Sequence, residues 1–307
     1  MSFSWLFSFL LVIQPATISE TLTINNQGET IVKIERENYT VPIPGQSLID
    51  TEKYLQLVNK LDKLTYEEPK NAYINNHGMV VEGQLGRKLY RKAFTDVFFT
   101  YFYERGTSTI EIPMLTLYPK VDRDLLLNIR VKQIGQYTTY FNANNKARSH
   151  NIKLAAEAIN NHVVFPQETF SFNRVVGKRT KERGYMRAPV IVKGELSEDI
   201  GGGICQVSST LFNATDRAGL KIIERYSHSK SVQYVPSGRD AAVSWYGPDF
   251  SFTNAYRIPL LIRAKAIRGQ MIIQIFSSDE IDYEPRAVPE AVKLDTDEID
   301  SDEAHLD

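Results

Sequence analysis

Cysteine is nearly absent from this sequence: the 307 residues contain one, Cys205. A single cysteine forms no intrachain disulfide, so no disulfide framework holds the chain together. Tryptophan is scarce as well, two residues against 16 Tyr and 15 Phe. There is no H-E-x-x-H, no P-loop and no spaced cysteine–histidine cluster, which leaves no cofactor and no metal to expect. No basic stripe alternates with aromatic residues, so no nucleic-acid partner is expected either. The composition is 42% hydrophobic and 24% charged. That balance excludes a disordered, collagen-like or multi-spanning membrane chain. At about 150 residues per domain, the length suits two domains.

The net charge of −1 hides an asymmetry. Residues 284–307 hold nine acidic side chains against Arg286 and Lys293, and the remainder carries 34 basic against 28 acidic ones. Prolines and acids predict a disordered acidic tail over 284–307. At the other end, an apolar run from Phe3 to Ile13 is interrupted by Ser4 and Ser8. It is shorter than the roughly 20 residues a helical span needs. With small polar residues from Thr17 to Ser19, segment 1–19 reads as a signal peptide, although no Lys or Arg precedes it. The expectation is export to the extracellular or cell-wall face, with membrane proximity through this segment if it is retained. No cysteine follows the run, which excludes a lipoprotein anchor.

Residues 20–130 read as a small α+β domain. Alternation predicts strands over 20–42, helical spacing predicts helices over 48–64 and 86–104, and Asn75 to Gly78 marks a hairpin turn. Residues 131–283 read as a second, mainly antiparallel-sheet domain with a few helices. A helix is expected over 149–161 and another over 205–218, the latter stopped by Gly219. Strands are expected at 187–193 (ended by Gly194), 220–225, 231–235, 257–265 and 270–276.

The most informative stretch is Gly201-Gly202-Gly203-Ile204-Cys205-Gln206-Val207-Ser208-Ser209-Thr210-Leu211. Consecutive glycines cost backbone entropy and imply a geometric need. Here they lead into a helix that starts at the only cysteine, where unpaired N–H groups and the helix dipole favour a thiolate. The same N–H groups suit the oxyanion of an acyl-transfer intermediate. A cysteine nucleophile needs a base, and of the five histidines His228 is the best placed, because it follows the cysteine helix after one short strand. Asp240 and Asp249 are the nearest groups to orient it, with a backbone carbonyl as the other option, and Asp240 joins Cys205 and His228 in the expected catalytic set. Arg225 and Arg239 are candidates to bind a substrate carboxylate. Gly201, Gly202, Gly203, Gln206 and Ser208 complete the expected substrate-binding set. Ser227 and Lys230 fit S-x-x-K, but no K-T-G follows, so a serine mechanism is set aside.

These residues also carry a resemblance. The stretch from about Gln133 to Phe276 resembles the VanW-like family, through Arg148 to Ile152, Phe170-Ser171-Phe172-Asn173, Gly184-Tyr185, Gly201 to Leu211, Glu224-Arg225, His228-Ser229, Tyr234-Val235-Pro236, and Asp249 with Asn254. Pro166-Gln167-Glu168 stands where the family commonly has Pro-Gly-Glu. The resemblance implies a link to vancomycin-resistance clusters and, for the region before it, a peptidoglycan-binding domain. It further implies an L,D-transpeptidase-like cysteine acyltransferase that cross-links peptidoglycan stem peptides through a Cys205 thioester. The alternatives are a non-catalytic peptidoglycan-binding or wall-assembly protein, in which Cys205 is packed as structure, and a cysteine hydrolase of the same stems.

Overall fold

The computed structural model describes residues 20–104, 106–192 and 195–293. Segment 1–19, read as a signal peptide, and residues 294–307 of the acidic tail lie outside the described residues. Among the described residues no helix is long and apolar enough to cross a membrane. The fold is α+β and divides into two compact units, residues 20–70 with 84–119 and residues 71–83 with 120–293.

In the first unit, strand Thr21–Asn26 lies between Glu29–Glu35, antiparallel, and Ser108–Glu111, parallel. Helix Thr51–Thr65 starts where the Asp50 carboxylate accepts the Lys53 N–H at 3.1 Å. It buries Tyr54, Leu57, Val58 and Leu61, the helical spacing legible in the sequence. The helix expected over 86–104 is two elements: strand Gly86–Leu89, paired with Met114–Leu117, then helix Arg91–Glu104. A side chain at Gly86 would collide with the backbone around Glu67 and Pro69, so this segment is held by close backbone approach. Phe94, Phe98 and Phe102 follow at i+4 and fill the core with Leu22 and Ile24.

The second unit is built on an antiparallel sheet ordered Lys132–Tyr140, Gln270–Ser277, Leu260–Ile267, His162–Val164. Helix Ile204–Arg217 packs on the first two strands, and helix Lys146–Ile159 packs on Leu260–Ile267 and on the first helix. Gly135 allows the close approach, because a Cβ there would run into the carbonyl of Ala214 and the methyl of Ala218. A second sheet orders Thr169–Ser171, Ser251–Thr253 and Lys221–Glu224.

Three expectations change. The boundary near 130 moves, because Ala72, Ile74, Val121, Leu126 and Ile129 bury with Val163 and Leu261 of the second unit. The strand over 231–235 is absent: residues 225–250 form a long loop that turns at Pro236, whose carbonyl accepts the Arg239 N–H at 3.0 Å. The strand before Gly194 has a partner, Glu195–Ile200, whose charged residues hid its extended character. The tail also differs in its described part. Val288 is buried, Tyr137 donates to the Pro289 carbonyl at 2.8 Å, and Arg286 bonds Asp216 at 2.9 Å, so residues 284–293 are seated on the C-terminal end of the Ile204–Arg217 helix.

Candidate active site

Helix Ile204–Arg217 is unusual in being buried on nearly every side. Its serines, threonines and asparagine are poor helix formers, and each buried hydroxyl left unpaired would cost about 1–3 kcal/mol. They bond the preceding turn instead: Ser209 donates to the Cys205 carbonyl at 2.7 Å, Thr210 to Gln206 at 2.7 Å, and Asn213 to Ser209 at 2.7 Å. The helix is thus a rigid, internally satisfied platform with Cys205 in its first turn.

The glycines before it answer a need for space. Gly201 and Gly203 take φ of +93° and +101°, which side chains rarely adopt. A Cβ at Gly202 would lie 2.5 Å from the Ala188 carbonyl oxygen and 2.6 Å from that of Pro189. Asn151 fixes the same corner, donating to the carbonyls of Met186 at 2.9 Å and Gly202 at 3.0 Å. The Ile204 and Gln206 N–H groups close short turns onto Gly201 and Gly203 at 3.2 and 3.1 Å. With those two committed, the N–H groups of Gly203 and Cys205 are left as the expected oxyanion donors of this turn.

His228 and Asp240 approach from the 225–250 loop. The Asp240 Oδ2 accepts from both the His228 backbone N–H and its Nδ1, each at 2.6 Å. Their side chains are only 10% and 9% exposed, so the pair works at low dielectric. Cys205 and the His228 ring act on each other's charge, and the Cys205 Sγ lies 3.5 Å from the Val243 carbonyl. Burial alone would oppose charge on either group. Their mutual attraction prevails, pushing His228 up to about 9 and drawing Cys205 below its ordinary value. Asp240 is desolvated too, yet the His228 hydrogen bonds hold its carboxyl below the usual range. The arrangement therefore favours the thiolate–imidazolium form of the pair, with Asp240 as the carboxylate behind it.

Asp249, the other aspartate considered, has a different task. It accepts from Ser171 Oγ at 2.5 Å and from the Asn173 N–H at 2.8 Å, at the start of the short helix Phe172–Val176. The remaining described histidines have other settings: His77 lies in a turn, its backbone N–H donating to the Asn75 carboxamide at 2.9 Å, His150 bonds the Gly184 carbonyl at 3.0 Å, and His162 packs edge-on against Phe170.

Several expected substrate contacts are structural instead. Gln206 is buried, its carboxamide bonded to Arg148 at 2.9 Å, Thr139 at 3.0 Å and the Tyr140 carbonyl at 2.8 Å. Ser208 is buried and donates to the carbonyls of Cys205 and Ala241. Arg225 donates to the carbonyls of Gly238 at 2.9 Å and Asp240 at 2.7 Å, and Arg239 bonds Asn213 at 2.7 Å and Asp216 at 2.8 Å. Both guanidinium groups lie over the Phe212 ring, at 4.8 and 4.5 Å. Together they clamp the base-bearing loop to the nucleophile helix. Two site residues escaped the sequence reading. Burial and the Cys205 charge push the Tyr234 phenol up, so it stays neutral. Arg179 stacks on Phe172 at 5.7 Å and donates to Asn173 at 2.7 Å, with Cys205 the leading charge acting on it. Neither stood out because both are distant from Cys205 in sequence. Among the described residues no group of three His, Cys, Asp or Glu is placed to hold a metal.

Comparison with known proteins places this site in a family. The family model "VanW like protein" matches residues 147–276, which include Cys205, His228 and Asp240. The uncharacterized protein YoaR of Bacillus subtilis is 56% identical over 293 residues, 95% of this chain and 97% of that protein. The vancomycin B-type resistance protein VanW of Enterococcus faecalis is 33% identical over 130 residues, 39% of this chain and 47% of that protein. No solved structure matches. With the family model covering the site and a relative matched almost end to end, this chain belongs to the VanW-like protein family.

Proposed function

We propose that this protein is a cysteine acyltransferase of L,D-transpeptidase type, acting on peptidoglycan stem peptides at the outer face of a bacterial membrane. The observation that carries the reading is the Cys205–His228–Asp240 array at the start of a buried helix. Structural cysteines do not need an imidazole held by a desolvated carboxylate, whereas a nucleophile does.

In this reaction the Cys205 thiolate attacks the scissile carbonyl of a stem peptide. The Cys205 N–H stabilises the oxyanion. The His228 imidazolium gives its proton to the departing amine, a terminal D-alanine, and a Cys205 thioester remains. Neutral His228 then takes a proton from the attacking amine of a second stem, which becomes acylated as the thioester breaks and the thiolate returns. Asp240 keeps the ring oriented and favours its charged form. The first unit, by this reading, holds the glycan strand while the second works on its stems.

Intact-mass spectrometry after incubation with a disaccharide-tetrapeptide tests the reading. The expected result is an adduct on Cys205 with loss of D-alanine, absent in Cys205→Ala. No adduct, with a thiol that resists alkylation in the folded protein, would favour the non-catalytic wall-binding alternative.

A further inference from the structure

Arg179 is set apart from the other arginines around the site. Its Nη1 is committed to Asn173, whose own amide donates to the carbonyls of Ser244 at 2.9 Å and Pro248 at 3.0 Å. Its ring-like plane rests on Phe172, and its Cβ and Cγ would lie 3.2 and 3.3 Å from a side chain at Gly201. This fixes the side chain between the glycine turn and the Val243–Ser244 segment, whose Val243 carbonyl lies 3.5 Å from the Cys205 Sγ. Nη2, however, is buried and bonds nothing. Among the described residues only one other buried side-chain nitrogen or oxygen lacks a partner, Arg36 Nε in the first unit, and there Nη1 and Nη2 are bonded to Glu20 and the Tyr101 carbonyl. Arg225 and Arg239, by contrast, direct their bonds to protein groups.

A buried guanidinium nitrogen without an acceptor costs stability unless something fills the vacancy during function. The charges acting on it are Cys205, Asp249 and, repulsively, Arg183, since burial keeps the Tyr185 phenol neutral. Asp249 already accepts from Ser171, Asn173 and Phe250. The remaining strong counter-charge is the thiolate, and that charge leaves the sulfur as soon as it attacks a carbonyl. An anion carried by the substrate next to the scissile bond would then match the guanidinium.

We infer that Arg179 anchors, through Nη2, the free C-terminal carboxylate of the acyl donor, selecting peptides that end one residue beyond the bond attacked by Cys205. The inference rests on the acyl-transfer reading for its chemistry, but it can be measured by binding alone.

The test uses the full chain with Cys205→Ala, titrated calorimetrically with a stem tetrapeptide ending in D-alanine and with its C-terminal amide. The acid should bind about 10-fold or more tightly than the amide, the range for one charged hydrogen bond. Adding Arg179→Gln should erase that difference, and Arg179→Lys, which keeps the charge, should retain part of it. Equal binding of acid and amide, no binding of either, or a preference that survives Arg179→Gln would each overturn the inference. The acid–amide comparison in the Arg179-containing protein stands even where Arg179→Gln lowers the melting temperature. Acylation of the wild-type protein separates the two readings. An amide that acylates Cys205 as fast as the acid removes the carboxylate site but leaves acyl transfer standing. Selective binding of the acid without any adduct does the reverse.

Discussion

The two walls of the candidate site are built by opposite means. The nucleophile wall is a helix buried on nearly every side, entered through a glycine turn into which no side chain fits. The base wall is a 26-residue loop, 225–250, without a strand or helix of its own. It is positioned by anchors such as Val235 and Ala241 and by charged clamps from Arg225, Arg239 and Asp240. The first wall is held by excluded volume and backbone geometry, the second by hydrogen bonds and charge. Substitutions in the first should therefore unfold the protein, while substitutions in the second should change its chemistry at smaller cost to the fold.

The sharpest way to break this contrast is Asp240→Asn. The base wall would keep its shape but lose the charge behind His228. Acylation should fall by about 10³-fold, roughly 4 kcal/mol in barrier, measured as the rate of Cys205 adduct formation. The same change bears on pH. Because Cys205 is drawn below its ordinary value, its thiolate absorbance near 240 nm should disappear on acidification with a midpoint below that of a free thiol. Asp240→Asn or His228→Ala should move that midpoint upward. The stabilisation that His228 contributes to folding is present below its unfolded value of about 6.5 and is lost as pH rises through about 9. A thiol that titrates at its ordinary value in the wild-type protein would deny the ion pair.

Gly202→Ala examines the other wall. The added methyl meets two backbone carbonyls that cannot swing aside, so a loss of about 3 kcal/mol in urea unfolding is expected. A loss under about 1 kcal/mol would mean the turn yields, and the contrast between rigid and clamped walls would fail. Arg239→Ala comes next. It removes bonds to Asn213 and Asp216 and the contact with Phe212, for about 1–2 kcal/mol, with a slower acylation rate as the loop loosens. The smallest effect belongs to Arg286→Ala. Its half-exposed bridge to Asp216 should contribute under about 1 kcal/mol, and acylation should stay at the wild-type rate.

Much of the nucleophile wall was legible in the residues. Three glycines before a lone cysteine announce a turn into a helix, and Gly219 announces its end, because both rest on local backbone rules. The helices over 51–65 and 146–159 were legible for a similar reason, their apolar residues recurring once per turn. The base wall was legible only as a short list of titratable residues. Asp240 was the expected orienting residue, but its geometry took the fold: it comes within 2.6 Å of the imidazole, while Asp249 accepts from Ser171 and the Asn173 N–H. The intramolecular partners of Arg225, Arg239, Gln206 and Ser208 were not legible for a related reason: a polar side chain's partner is set by what packs opposite it, which sequence spacing does not record.

By itself, then, the sequence determined the α+β class, the cysteine at the start of a helix, the short list of residues that could serve it as base, and the family to which they belong. Only the tertiary structure decided that residues 71–83 and 120–130 pack with the second unit and that residues 284–293 are seated on the cysteine helix. It also decided that Asp240 holds His228 and that Arg179 stands by the sulfur with a nitrogen to spare. The physical reason is range. Turn, cap and period are settled within a few residues of backbone, whereas a desolvated charge or an unfilled hydrogen bond exists only once distant segments have closed around it.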